Sequence, residues 1–315
     1  MKHFVTLIVF FYACHFGVFG QEESVRNSEN HIDSTEIKFK ILKDSLSTFK
    51  QLIPAVSWNV INKGEIEFVI FSSLLFADNF RNEQGENVEL PYLQTHLQSG
   101  IQATYGISND RLNLGLDINT ALVDLDYGAG KSPFSLFREK EYPDISTGLV
   151  VTSIGPRVRW RPLRKNYNLV IQASTWFPTY GNSEYPAMFG LEQVYGNALL
   201  FYNLPINQKL YMFAQVGIQY GFRNSQSSNI FVFPASLFFS YLISQKLIIF
   251  GVGNFAQIRS DETTYKNGGT MQMGLGTQYQ FSKSYAVNLY YTKELAGKNY
   301  YAYDNLSLSL RVLLK

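Results

Sequence analysis

Arg157, Arg159 and Arg161 alternate along one short stretch of the chain. In an extended backbone successive side chains point to opposite faces, so all three share one face. Guanidiniums stay charged and bind carboxylates or anionic solutes in a fork geometry. The same alternation places Glu65, Glu67 and Asp117 on the matching face of other runs, together with Arg111, Arg259 and Arg311. His96 keeps step with Gln94, Gln98 and Gln102. Two kinds of chemistry fit. A basic ladder facing water would select anions, as charged rings do in pores. A set of ion pairs, Arg157 with Asp117 and Arg311 with Glu67, would instead brace a wall, and this is the plainer reading.

Catalysis needs more than these residues offer. A lipid hydrolase needs a serine beside a histidine with an orienting polar group, and no serine is forced to lie beside His96. A barrel protease needs paired acids and a histidine. Asp78, His96 and Asp124 could supply them only if neighbouring runs brought all three together. His96 reads better as a polar lining residue. Gly251-Val252-Gly253-Asn254 lies inside a strand pattern, where glycine relieves crowding rather than cradling phosphate. Asp261, Glu262 and Asp304 read as solvated loop surface rather than a calcium site. No catalytic residue, metal or cofactor is expected.

What must position the charged face is a series of strands. The pattern is plainest in Gly268–Leu313, where apolar and polar residues swap at each step. In one run Met271, Met273, Leu275, Tyr279 and Phe281 oppose Thr270, Gln272, Gly274, Gln278 and Gln280. In the last, Leu306, Leu308, Leu310 and Val312 oppose Asn305, Ser307, Ser309 and Arg311. Runs of this kind recur at 65–76, 92–107, 111–124, 146–162, 167–178, 193–204, 209–222, 230–242, 246–259, 269–281, 285–294 and 302–313. Each reaches the roughly 9–11 residues that a tilted strand needs to cross a bilayer. Short turns (108–110, 163–166, 205–208, 244–245, 282–284) alternate with longer polar links (77–91, 125–145, 179–192, 223–229, 260–268, 295–301). That separation is the habit of outer-membrane barrels, with the longer loops outside.

The expected fold is all-β, a closed antiparallel transmembrane β-barrel of about 12 strands spanning residues 64–315, since closure satisfies every backbone amide within lipid. An even strand number puts both termini in the periplasm. The greasy faces would meet lipid, so Leu308→Arg is expected to abolish assembly and Ser307→Arg to be tolerated. Paired apolar stretches such as Leu237-Phe238-Phe239 and Ile248-Ile249-Phe250 suggest a narrow, filled interior. Trp176, Phe177, Tyr180, Tyr185, Tyr291, Tyr300, Tyr301 and Tyr303 are expected as an aromatic girdle on the loop side.

Residues 1–20 read as a secretory leader, with Lys2, an apolar centre Val5–Tyr12 and Val18-Phe19-Gly20 before the cut. Cys14, the chain's only cysteine, would leave with it, and Phe11-Tyr12-Ala13 upstream lacks the small residues of a lipoprotein site. Without it the mature chain forms no disulfide or thiolate metal site. Residues 21–63 form a periplasmic or plugging segment. Within it 34–53 reads as a short amphipathic helix ending at Pro54, with an alternating strand as the other reading. Formal charge is +2 and gives no case for nucleic acid. Aromatic content of 16% suits a protein that crosses two membrane interfaces.

The stretches Trp58–Glu65, Ile154–Trp160, Ala173–Thr179 and Gly274–Tyr279 together resemble the family named for the MetA pathway of phenol degradation, over about residues 58–313. The resemblance implies an outer-membrane transport barrel of Bacteroidetes type, with no catalytic residues to carry over. The ending Leu313-Leu314-Lys315 departs from the terminal aromatic residue common in such barrels. The expected partners are outer-membrane lipid, the barrel assembly machinery and a small polar or amphipathic solute. Two functions from different classes remain: a narrow channel or transporter, and a non-conducting structural or partner-binding barrel. A barrel hydrolase is the weakest third.

Overall fold

Alternating sequence becomes alternating burial. In Tyr285–Lys298 and Asp304–Leu314 the buried and exposed side chains swap at nearly every step. The computed structural model describes residues 59–128, 131–137, 145–146, 148–163, 166–179, 193–224, 228–260 and 267–315. The expected leader (1–20), residues 34–53, Cys14, Trp58, Tyr180, Tyr185, Asp261 and Glu262 lie outside them.

The strands are β1 (Ile66–Arg81), β2 (Asn87–Ser108), β3 (Leu112–Asp126), β4 (Ile145–Ser146), β5 (Val150–Trp160), β6 (Leu169–Pro178) and β7 (Tyr195–Pro205). They continue as β8 (Leu210–Gly221), β9 (Ile230–Leu242), β10 (Leu247–Ser260), β11 (Gly268–Gln280), β12 (Tyr285–Lys298), β13 (Tyr300–Tyr301) and β14 (Asp304–Leu314). β4 and β13 are two-residue pieces on β3 and β1. The other twelve pair antiparallel in chain order. β1 then pairs with β14 from Ile66↔Leu314 to Phe76↔Asp304 and closes the ring. No sheet edge is left for lipid to desolvate.

The outer face is apolar. Leu275 is 75% exposed and Leu308 52%, while Ser307 beside it on the inner face is 4% exposed. An aromatic band rings the turn end, with Tyr105, Trp160, Tyr167, Tyr241, Phe281 and Tyr285 all exposed. Such side chains suit the headgroup level. At the loop end Phe177 and Tyr291 face outward, but Trp176 turns into the barrel and Tyr303 is buried. The expected loop-side girdle therefore loses these two members. Their N–H and O–H groups find polar partners inside that lipid cannot offer.

Two further expectations about the strands change. β1 and β2 run on past residues 76 and 92 to a tight hairpin at 82–86. The register slips between Ala77 and Asn79, and Pro91 falls on the four β2 residues opposite that bulge. A bulge resets the alternation, and proline reads as a strand breaker. Ser307→Arg is expected to destabilise the barrel rather than to be tolerated. Ser307 Oγ lies 2.7 Å from Ser73 Oγ in a filled interior, and a guanidinium has no space there.

Candidate functional site: the barrel lumen

The lumen holds two kinds of lining on different arcs of the wall. On β1, β3, β5 and β14 lies a charged layer. Glu67 is 0% exposed and sits between two arginines, Arg311 Nε at 2.6 Å from Oε2 and Arg159 Nη1 at 3.5 Å from Oε1. Arg157 Nη1 lies 3.1 Å from Asp117 Oδ1, and its Nη2 donates to Thr104 at 2.7 Å. Trp176 Nε1 donates to the other Asp117 oxygen at 3.1 Å. Arg159 also donates twice to Gln172 Oε1, at 3.1 and 3.0 Å. Arg161 lies 3.6 Å from Asp110 Oδ1 and over the Tyr167 ring at 5.1 Å. Register explains the grouping. Thr104 pairs with Glu67 and Gly115, and Gly115 with Arg157, so one lateral row carries these groups.

On β7 to β12 the lining is aromatic. Phe201, Phe213, Phe238, Phe250 and Tyr290 form a stripe with successive ring centroids 5.9, 5.7, 5.9 and 6.2 Å apart. A Cβ on Gly276 would collide with the Phe250 ring and the Tyr290 Cβ, so the absence of a side chain there lets the stripe pass.

Between these arcs runs the chain that leads into β1. Asn59, Val60 and Ile61 are all buried, with Val60 in the cluster formed by Val170, Phe201, Phe213, Phe238, Phe250 and Val252. The Asn59 carbonyl oxygen accepts from Arg159 Nη1 at 2.8 Å, and its side-chain oxygen from Arg161 Nη2 at 2.9 Å. Asn113, with its amide oriented to match, accepts from Ile61 N at 3.0 Å and donates to Ile61 O at 3.2 Å. A Cβ on Gly106 would strike the Asn62 carbonyl, so this segment can pass only over a glycine.

At the loop end a cavity of about 640 Å³ is lined by Phe80, Ile230, Ile258, Tyr300 and Tyr301 with polar residues from the 82–84 turn and Asn299. Nearby, Tyr303 Oη lies 3.0 Å from His96 Nε2, and its carbonyl accepts from Gln272 Nε2 at 2.9 Å. His96 also meets Gln94.

The sequence candidates divide accordingly. Glu67, Asp117, Arg157, Arg159, Arg161 and Arg311 stand in one layer. His96 lies in the lumen among Gln94 and Tyr303, while Asp78 is exposed at the bulge beside Asn79 and Asp124 meets Ser135 Oγ at 3.3 Å. Those three do not assemble. Glu65 belongs to the turn end, where it accepts from Asn62 at 2.9 Å, and Arg111 is half-buried in the β2–β3 turn. Arg259 is exposed and shares its face with Ile249 and Phe255, outside the barrel at the loop end of β10. Gln257, two residues before it on the same parity, also lies outside. Asn59, Gln172, Trp176 and Tyr303 join the site unannounced. Gln172 could have been found by its alternation with Ser174, whereas Asn59 precedes the strands and carries no periodic signal. Among the described residues no group of His, Cys, Asp and Glu could hold a metal.

Residues 77–310 match the model of the family described as "Putative MetA-pathway of phenol degradation". The chain belongs to this family. No curated protein sequence matches the chain. Among solved structures it is similar to the COG4313 outer membrane channel from Pseudomonas putida F1, with TM-score 0.62 and 12% identity over 83% of this chain and 100% of that one. It is also similar to the β domain of the Bordetella autotransporter BrkA, with TM-score 0.49 and 12% identity over 80% and 99%. The family member described here is an outer-membrane β-barrel.

Proposed function

We propose that this barrel is a narrow, non-enzymatic channel for small amphipathic solutes. The observation that carries the reading is the pairing of linings. An apolar cavity of about 640 Å³ opens at the loop end of a barrel whose lumen sets an aromatic stripe against an arginine-rich layer. A solute with an apolar body and a polar head meets matching chemistry along that path, and concave, mostly apolar sites with a few polar groups are what small ligands use. The even number of strands brings the segment before β1 and the end of β14 to the short-turn side. That side faces the periplasm in barrels of this kind, which supports periplasmic termini and cargo arriving from outside.

Proteoliposome swelling tests it. Leucine, an amphipathic solute too polar to cross lipid freely, is expected to swell protein-bearing liposomes faster than empty ones, and the trisaccharide raffinose is not. Swelling no faster than empty liposomes with either solute would support the second reading, a non-conducting barrel. The buried ionic layer and the Asn59–Ile61 segment within the lumen are the observations on that side.

A further inference from the structure

Asn59 and Val60 precede the first strand, yet the wall holds them as it would hold a ligand. Two oxygens of Asn59 sit on two guanidiniums, Arg159 at 2.8 Å and Arg161 at 2.9 Å. The isopropyl group of Val60, 1% exposed, is packed into the Phe201–Phe250 cluster. One end of this contact is a charge-assisted pair of hydrogen bonds and the other a hydrophobic pocket.

Two features suit the site to something more acidic than a peptide. Among the described residues four guanidiniums of this layer (Arg157, Arg159, Arg161, Arg311) meet three carboxylates (Glu67, Asp110, Asp117), and Asn59 adds only neutral oxygens. The Nε atoms of Arg157 and Arg161 are buried and donate to nothing among the described residues. Buried donors without acceptors are costly, and a carboxylate accepts through both oxygens.

We propose that Asn59–Val60 occupies, as a built-in competitor, a binding site for small carboxylates with a branched or aromatic hydrocarbon body. The proposal rests on the channel reading and names the class of solute. The covalent path gives a probe. From the Asn59 carbonyl carbon through the Val60 nitrogen and α-carbon to its branched β-carbon, the heavy-atom chain is that of 4-methylpentanoate. The second carboxylate oxygen takes the direction of Asn59 Cα. Solute and peptide then compete for the same arginines and the same pocket, and the passage opens to the solute as the segment yields.

The test is calorimetric titration of the detergent-solubilised full chain with 4-methylpentanoate and with the neutral 4-methylpentanamide. Asn59→Gly/Val60→Gly is expected to bind the carboxylate about tenfold or more tightly than the unaltered chain, the scale set by losing one buried valine side chain as competitor. The amide is expected to bind this variant at least about tenfold more weakly than the carboxylate, the scale of a hydrogen bond to a charged group. Adding Arg161→Gln is expected to erase that preference. Should that third change prevent folding, the carboxylate and amide titrations of the double variant decide alone. Equal binding of acid and amide, or no gain in the double variant, overturns the proposal. A chain that passes leucine but lacks the carboxylate preference keeps its channel function and loses this inference. One that prefers the carboxylate but never swells liposomes keeps the site and loses the channel.

Discussion

Glu67 shows what single residues do here. Its carboxylate is fully buried and holds Arg311 at 2.6 Å and Arg159 at 3.5 Å. Removing one partner of a buried pair leaves the other charge uncompensated, at about 3–5 kcal/mol. Glu67→Gln is therefore expected to lower stability by about that much in a reversible urea titration in detergent. Asp117→Asn is expected to fall in the same range, because it faces Arg157 at 3.1 Å and Trp176 at 3.1 Å. A loss below about 1 kcal/mol in both, the scale of an exposed pair, would mean that water reaches this layer freely. Both ion pairs were legible in the sequence, since alternation alone puts Arg157 and Asp117, and Arg311 and Glu67, on inner faces of strands that closure brings together. Arg259 shows the limit of that method. Near strand ends the outer face is polar as well, as Gln257 and Arg259 show, so polarity there does not say which side is inside.

At the scale of elements, strands and turns were readable because lipid imposes a strict period of two on whatever crosses it. Where the chain leaves the bilayer that constraint ends, and so does the signal. The extension of β1 and β2 to Arg81 and Asn87 is the clearest case. The facing itself is testable. Leu308, 52% exposed on β14, meets the acyl chains, so Leu308→Arg is expected to cost about 2–4 kcal/mol in refolding into detergent or liposomes. The same arginine at Gln208, in the exposed turn between β7 and β8, is expected to change nothing beyond error. Equal effects at the two sites would contradict the assigned faces. A second element-scale test concerns the segment before β1. Gly106→Val places a side chain where the Asn62 carbonyl passes. It is expected to expel residues 59–62 from the lumen and expose them to limited proteolysis while the barrel itself remains protected. Unchanged cleavage would mean that the segment does not depend on that crossing point.

For the whole molecule, closure was foreseeable and the contents of the lumen were not. Alternation tells which side chains point inward, but not whether opposing walls touch. The apolar stretches around Phe238 and Phe250 pointed to a filled interior, yet the aromatic stripe, the charged layer and Val60 between them depend on how twelve strands tilt and on what precedes them. The expectation for Ser307→Arg changes for that reason, because the inner face at Ser307 is packed rather than wet. The claim on which all else stands is that the apolar outer surface meets lipid around a closed wall. Its most direct measurement is electrophoresis of the detergent-solubilised chain with and without boiling. The unheated protein is expected to run as a compact, faster band that shifts on heating to the position of the unfolded chain, and to precipitate when detergent is withdrawn. A single heat-insensitive band from a chain that stays monomeric in plain buffer would contradict the account.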